Sequence, residues 1–173
     1  LVVLLMLAVL PAAFAEDLTT TTMRVDKTEG DVRVTDRSGE PVDISEDERL
    51  PNGCTVETGE SSYAWILLDD AKTCKMDAQT SVTFEKDNGA FTLTVNSGNL
   101  FFNVAEKLSE EETMHIQTAT MGTEIRGTSG EISVANSKET TLSLFDGMMT
   151  AKARNLNGTF SEEAVTVRHG EAI

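Results

Sequence analysis

Thr118-Ala-Thr-Met-Gly-Thr-Glu-Ile-Arg126-Gly127-Thr128-Ser-Gly-Glu-Ile-Ser-Val134 is the stretch on which the reading of this chain turns. A glycine inside a strand pattern marks a bulge or a close backbone approach. An arginine beside it can donate five hydrogen bonds into the carbonyls of a neighbouring strand. The reading therefore expects Arg126 buried, Gly127 at a bulge, and Thr128 bonding locally and restarting the strand. Two functional alternatives stay open for the triplet: an anion held by Arg126, or Arg-Gly-Thr displayed as an adhesive tripeptide.

Outward from this stretch the dominant period is two. Val32 and Val34, then Phe91, Leu93 and Val95, then Leu142 and Leu144, then Val165 and Val167 alternate with polar residues, each set marking a half-buried strand. Turn signals separate them at Gly30, Gly39, Pro51 to Gly53, Gly59, Asp69-Asp70, Asp87 to Gly89, Ser97-Gly98, Asp146-Gly147 and Asn157-Gly158. Many short strands between such turns predict an all-β domain: a sandwich, a barrel or a solenoid.

Two segments depart from the pattern. Tyr63-Ala-Trp-Ile-Leu-Leu68 is apolar at both parities and holds the only Trp and the only Tyr, so it reads as a central strand buried on both faces. Core packing is the expected use of its rings, with an aromatic binding platform as the alternative. From Leu100 to Glu112 the alternation breaks, and a connector with one short helical turn is expected near Val104 to Glu111.

Residues Leu1 to Ala15, LVVLLMLAVLPAAFA, form an uncharged apolar run ending in Ala-Phe-Ala, the pattern of a secretory signal peptide whose own beginning lies upstream. At 1.5 Å per residue it reaches about 22 Å, short of a bilayer core of roughly 30 Å, so no stable membrane span is expected after cleavage. Residues 16–29 read as a leader and first strand, and 30–173 as one β-domain. An extracytoplasmic address makes Cys54 and Cys74 candidate disulfide partners, worth about 3 kcal/mol for a loop of this length. Each also lies in phase with an apolar neighbour, so two buried free thiols are the alternative.

With 29 acidic against 14 basic residues and a net charge of -15, the surface repels nucleic acid and anionic lipid. Nucleophilic catalysis would have to use His115 or His169, and neither lies near a nucleophile elbow. Two cysteines with these histidines do not make a zinc set, Asp26 to Asp31 lacks the calcium-loop ladder, and Gly122 and Gly127 are separated by bulky residues unsuited to cradling phosphate. The expectation is a protein that is not an enzyme and needs no cofactor or metal.

Six motifs in order resemble the FecR-domain family: Gly30-Asp-Val-Arg-Val34; Leu50-Pro-Asn-Gly53 with Val56-Glu-Thr58-Gly59; Ser61 to Leu67 with Asp69-Asp70; Thr118 followed by Arg126-Gly127-Thr128; Leu144-Phe-Asp-Gly147; and Val167-Arg-His-Gly170-Glu-Ala172. The sequence departs from the family pattern at Cys54, Asp70 and Ala119. The resemblance implies an exported, twisted β-solenoid or solenoid-like β-sandwich; because a signal-like run leads straight into the domain, the anti-sigma segment of the ferric citrate regulator is not expected here. It further implies an extracytoplasmic interaction or sensory module that binds an unidentified protein, the alternative being a structural spacer in an envelope or surface assembly.

Overall fold

The computed structural model describes residues 22–108 and 112–173. The signal-like run Leu1–Ala15 lies outside them. Fourteen strands follow in chain order: β1 (Arg24–Glu29), β2 (Val32–Thr35), β3 (Pro41–Val42), β4 (Cys54–Thr58), β5 (Tyr63–Leu67), β6 (Lys72–Met76), β7 (Ser81–Asp87), β8 (Ala90–Val104), β9 (Thr113–Gln117), β10 (Met121–Ile125), β11 (Ser129–Asn136), β12 (Glu139–Asp146), β13 (Met148–Arg154) and β14 (Phe160–Arg168). The protein is all-β, a solenoid-like sandwich whose strands form one large, mixed and open sheet.

β8 makes that sheet continuous. Its first half pairs antiparallel with β7 and parallel with β9. Its second half pairs antiparallel with β6 and β11. One layer therefore runs β3-β2-β4-β7-β8-β9-β10-β13-β14, and the other β1-β5-β6-β8-β11-β12. The parallel pairing arises because the chain passes through the second layer before returning to the first, which is one coil of a solenoid.

Ser97-Gly98 is the corner in β8, not a turn between two strands. The register against β7 shifts between Ser81 and Val82, and Gly98 takes φ +81°, a left-handed conformation that glycine adopts at little cost. Alternation supplies the core on both sides of this corner. Phe91, Leu93 and Val95 point inward from one half of β8, Leu100, Phe102 and Val104 from the other, and all join one hydrophobic cluster.

No helix occurs among the described residues, which corrects the helical turn expected near Val104 to Glu111 as far as that segment is described. Sheet pairing takes precedence over local propensity here: Val104 is opposite Lys72 at the end of β8, the Ala105 amide donates to the Ala71 carbonyl at 2.9 Å, and Leu108 turns into the core. Small polar clusters tie the layers where they meet. Thr58 Oγ1 donates to the Asp77 carbonyl at 2.6 Å, the Asn99 amide donates to Thr80 Oγ1 at 3.0 Å, and Thr118 and Thr120 share the Thr140 hydroxyl at 2.9 and 2.8 Å. Thr118 and Thr80 are buried, so these bonds satisfy groups that water does not reach.

Lys72 is 1% exposed, yet its ammonium bonds Asp69 Oδ2 at 2.7 Å and Glu112 Oε1 at 2.8 Å. Desolvation pulls its pKa down, but the two carboxylates outweigh it and hold the pKa above the usual lysine value.

Candidate functional site

The Arg-Gly-Thr triplet lies where the chain leaves β10 in one layer and enters β11 in the other. Arg126 is not buried. It shares the outward parity of Glu124, and its Nε and Nη2 reach back to Glu124 Oε1 at 2.8 and 2.7 Å instead of into a neighbouring strand. The close approach belongs to Gly127. At φ +90° it passes the Lys107 backbone so tightly that a β-carbon would come 2.9 Å from the Lys107 α-carbon. Thr128 is 3% exposed; its carbonyl accepts the Val104 amide at 3.1 Å, and its hydroxyl has no partner among the described residues. The triplet is a structural splice, and Glu124 occupies the guanidinium that an anion would need.

Cys54 and Cys74 are both free and buried, so the candidate disulfide gives way to its alternative. Each points inward: Cys54, the first residue of β4, lies opposite Phe84, and Cys74, at the middle of β6, lies between Ile66 and Phe102. Burial pushes the Cys54 thiol up to about 12 and the Cys74 thiol upward as well, the behaviour of small core residues and not of reactive thiolates.

The expected central strand is β5, which is paired on both sides but lies next to the edge strand β1, and it is not covered on both faces. Ala64, Ile66 and Leu68 are core, whereas Tyr63, Trp65 and Leu67 are half-exposed on the outer face. Lysines reach these rings from neighbouring strands, a relationship invisible along the sequence. Strand register sets Lys27, Trp65, Lys75, Phe101 and Glu131 in one row across β1, β5, β6, β8 and β11. The Lys27 ammonium lies 5.0 Å from the Trp65 ring, and that of Lys75 lies 5.0 Å from Tyr63 and 5.3 Å from Phe101. Lys75 also bonds Asp77 Oδ1 at 2.6 Å. Desolvation raises the Glu131 pKa, Asp77 adding to the shift and Lys75 opposing it.

The edges of the sheet are treated unequally. Residues 47–50 cover β1: the Val25 amide donates to the Glu48 carbonyl at 3.0 Å, and the Asp47 amide to the Val25 carbonyl at 2.7 Å. The tail covers β12, with Leu142 and Ile173 exchanging amide-to-carbonyl bonds of 2.9 and 3.0 Å. β3 has two residues. β14 has nine, and among the described residues it has a strand neighbour on one side only, β13. Val165 lies on the inward parity shared with buried Val167, yet it is 55% exposed; Phe160, at the start of the strand, is 41% exposed. A long, partly apolar edge left open is the chemistry of strand addition. The sequence marked β14 as half-buried but carried no sign that its edge would be free, because pairing depends on which strands arrive beside it.

The family model of the FecR protein matches residues 54–150, more than half of the chain. The chain belongs to the FecR family. The FecR match runs from β4 into β13 and includes Cys54 and the Arg126-Gly127-Thr128 splice; the Gly30 to Val34 and Val167 to Ala172 motifs lie beyond it. Two crystal structures of a proposed anti-sigma factor from Parabacteroides distasonis share the fold, one at 1.65 Å and one at 2.50 Å, with TM-scores of 0.55 and 0.54. Each is 15% identical and covers 69% of this FecR chain, which in turn spans 57% of the solved one. No curated protein matches. Among the described residues of this FecR chain no group of side chains is arranged to hold a metal ion, and no helix is long and apolar enough to cross a membrane.

Proposed function

We propose that this FecR chain is an exported, non-enzymatic sensory module that receives an extended segment of a protein partner along β14. The observation that carries the reading is the open edge: it alone among the longer edges of the described sheet is neither covered by a loop nor paired with a tail. Strand addition there would supply main-chain hydrogen bonds and cover Val165. Charge favours a basic partner segment, since β14 carries Glu162 and Glu163 and the whole chain carries a net charge of -15. The signal-like run Leu1–Ala15 supports an extracytoplasmic address. A signalling role fits the likeness of fold to proposed anti-sigma factors.

The test is site-directed photocrosslinking in intact cells with a photoreactive side chain at Val165. A discrete adduct that disappears when Glu162 and Glu163 are both changed to Lys supports the reading. Absence of an adduct, or one indifferent to the charge reversal, overturns it in favour of a spacer that meets no partner on this edge.

A further inference from the structure

On the outer face of the second layer a groove of about 380 Å³ runs beside the lysine–aromatic row. Trp65 stands on one side; Phe101, stacked on Phe145 with centroids 6.3 Å apart, stands on the other. The positions of Trp65 and Phe101 are two strands apart, hence about 9.5 Å. Lys75 stands between them in that row, and Thr73, Asn103 and Ser129 form the next cross-strand row alongside it. Among the described residues none of these three side chains has a hydrogen-bond partner. The opposite layer differs: its outward Thr55 and Thr83 hydroxyls bond one another at 2.9 Å, and Asn96 bonds Thr83 at 3.3 Å.

Aromatic walls around uncommitted neutral hydroxyl and amide groups suit a ligand with apolar C–H faces and neutral hydroxyls. We infer that this groove binds a neutral carbohydrate chain laid along the Thr73, Asn103 and Ser129 row, one sugar ring against Trp65 and another against Phe145, which lies four strands away, while hydroxyls between them bond Asn103, Thr73 and Ser129. Other classes fit less well. β6, β8 and β11 are paired on both sides, so their backbones offer an extended peptide no free edge. The groove's two charged lining residues, Asp26 and Lys75, are opposite in sign and Lys75 is already bonded to Asp77 and held against the rings, so neither an anion nor a cation meets a field of one sign there. The overall negative charge disfavours nucleic acid.

Trp65 is the only tryptophan, so its emission reads the groove directly. The experiment titrates the purified protein with four-unit β-1,4-linked glucose and N-acetylglucosamine oligosaccharides while following that emission. The expected result is a saturable change with at least one of them, weakened about fivefold or more by Asn103→Ala and by Phe145→Ala, with unchanged melting temperature, and unaffected by Thr83→Ala on the other layer. No saturable change with either oligosaccharide overturns the assignment. So does a response that survives both groove substitutions, or one produced instead by proline-rich or aromatic peptides.

Discussion

Gly98 stands with its α-carbon against Thr80, so close that a β-carbon on Gly98 would lie 2.6 Å from the Thr80 α-carbon and 2.7 Å from the Gln79 carbonyl oxygen. Backbone lies on both sides of the contact, so no side chain can swing away to relieve it. Gly98→Ala adds this clash to a residue held at φ +81°, and a cost of about 3 kcal/mol is expected. Thermal unfolding should show a fall of about 10 °C. A loss of only a degree or two would mean that the corner in β8 is softer than its geometry implies.

For Lys72 the prediction separates charge from volume. Lys72→Ala removes the buried stem and leaves Asp69 and Glu112 without their shared ammonium, an expected loss of about 3 kcal/mol. Lys72→Met keeps the stem, and both carboxylates retain access to water, so it should cost less than half as much. The pH profile discriminates further. Because the folded-state pKa is raised, the pair contributes fully below the ordinary lysine pKa and its contribution is lost as pH rises through the folded value. Wild type should therefore show an alkaline decline in stability, measured by urea midpoint against pH, that Lys72→Met lacks.

Both cysteines should be chemically silent in the native protein. Burial raises both thiols, so at pH 8 neither Cys54 nor Cys74 should react with iodoacetamide until denaturant is added. Unreduced protein in guanidinium should then titrate two thiols by mass. A titration of none would establish a Cys54–Cys74 bond.

Within the Arg-Gly-Thr splice, stability should depend on the glycine and not on the arginine. Arg126 is solvent-exposed and among the described residues its ion pair is with Glu124, so Arg126→Ala should change stability by less than about 0.5 kcal/mol. Gly127→Ala forces a β-carbon against Lys107 at φ +90° and should cost about 2 kcal/mol. Equal effects of the two substitutions in urea melts would contradict this division.

The difference between these neighbours shows what the chain's pattern could convey. Period two at Phe91, Leu93 and Val95, or at Leu142 and Leu144, assigns inward residues directly, since a strand exposes one parity to the core. The same period is silent about what lies across the sheet. Trp65 was legible as part of a strand paired on both sides, but Lys27 and Lys75 meet it only through register, and their ammonium groups lie against the ring that the sequence assigned to core. Arg126 was misassigned because a guanidinium can turn either to a carbonyl or to a carboxylate, and parity with Glu124 decided the matter. Ser97-Gly98 carries the composition of a turn, yet the strand continues through it because β6 and β11 wait on the far side to pair with Leu100 to Val104. The candidate edge was illegible for a similar reason: an unpaired flank is a property of the assembled sheet.

β8 also constrains how the molecule comes into being. It is hydrogen-bonded on both sides in both layers, to strands drawn from before and after it in the chain. Neither layer can be finished while β8 is unformed, and its partners β6, β7, β9 and β11 arrive from separate loops whose closure entropy must be met first. Such non-local assembly places folding in the range of milliseconds to seconds, with the two layers gained together in one cooperative event. The strand that joins the halves thereby denies them independent lives.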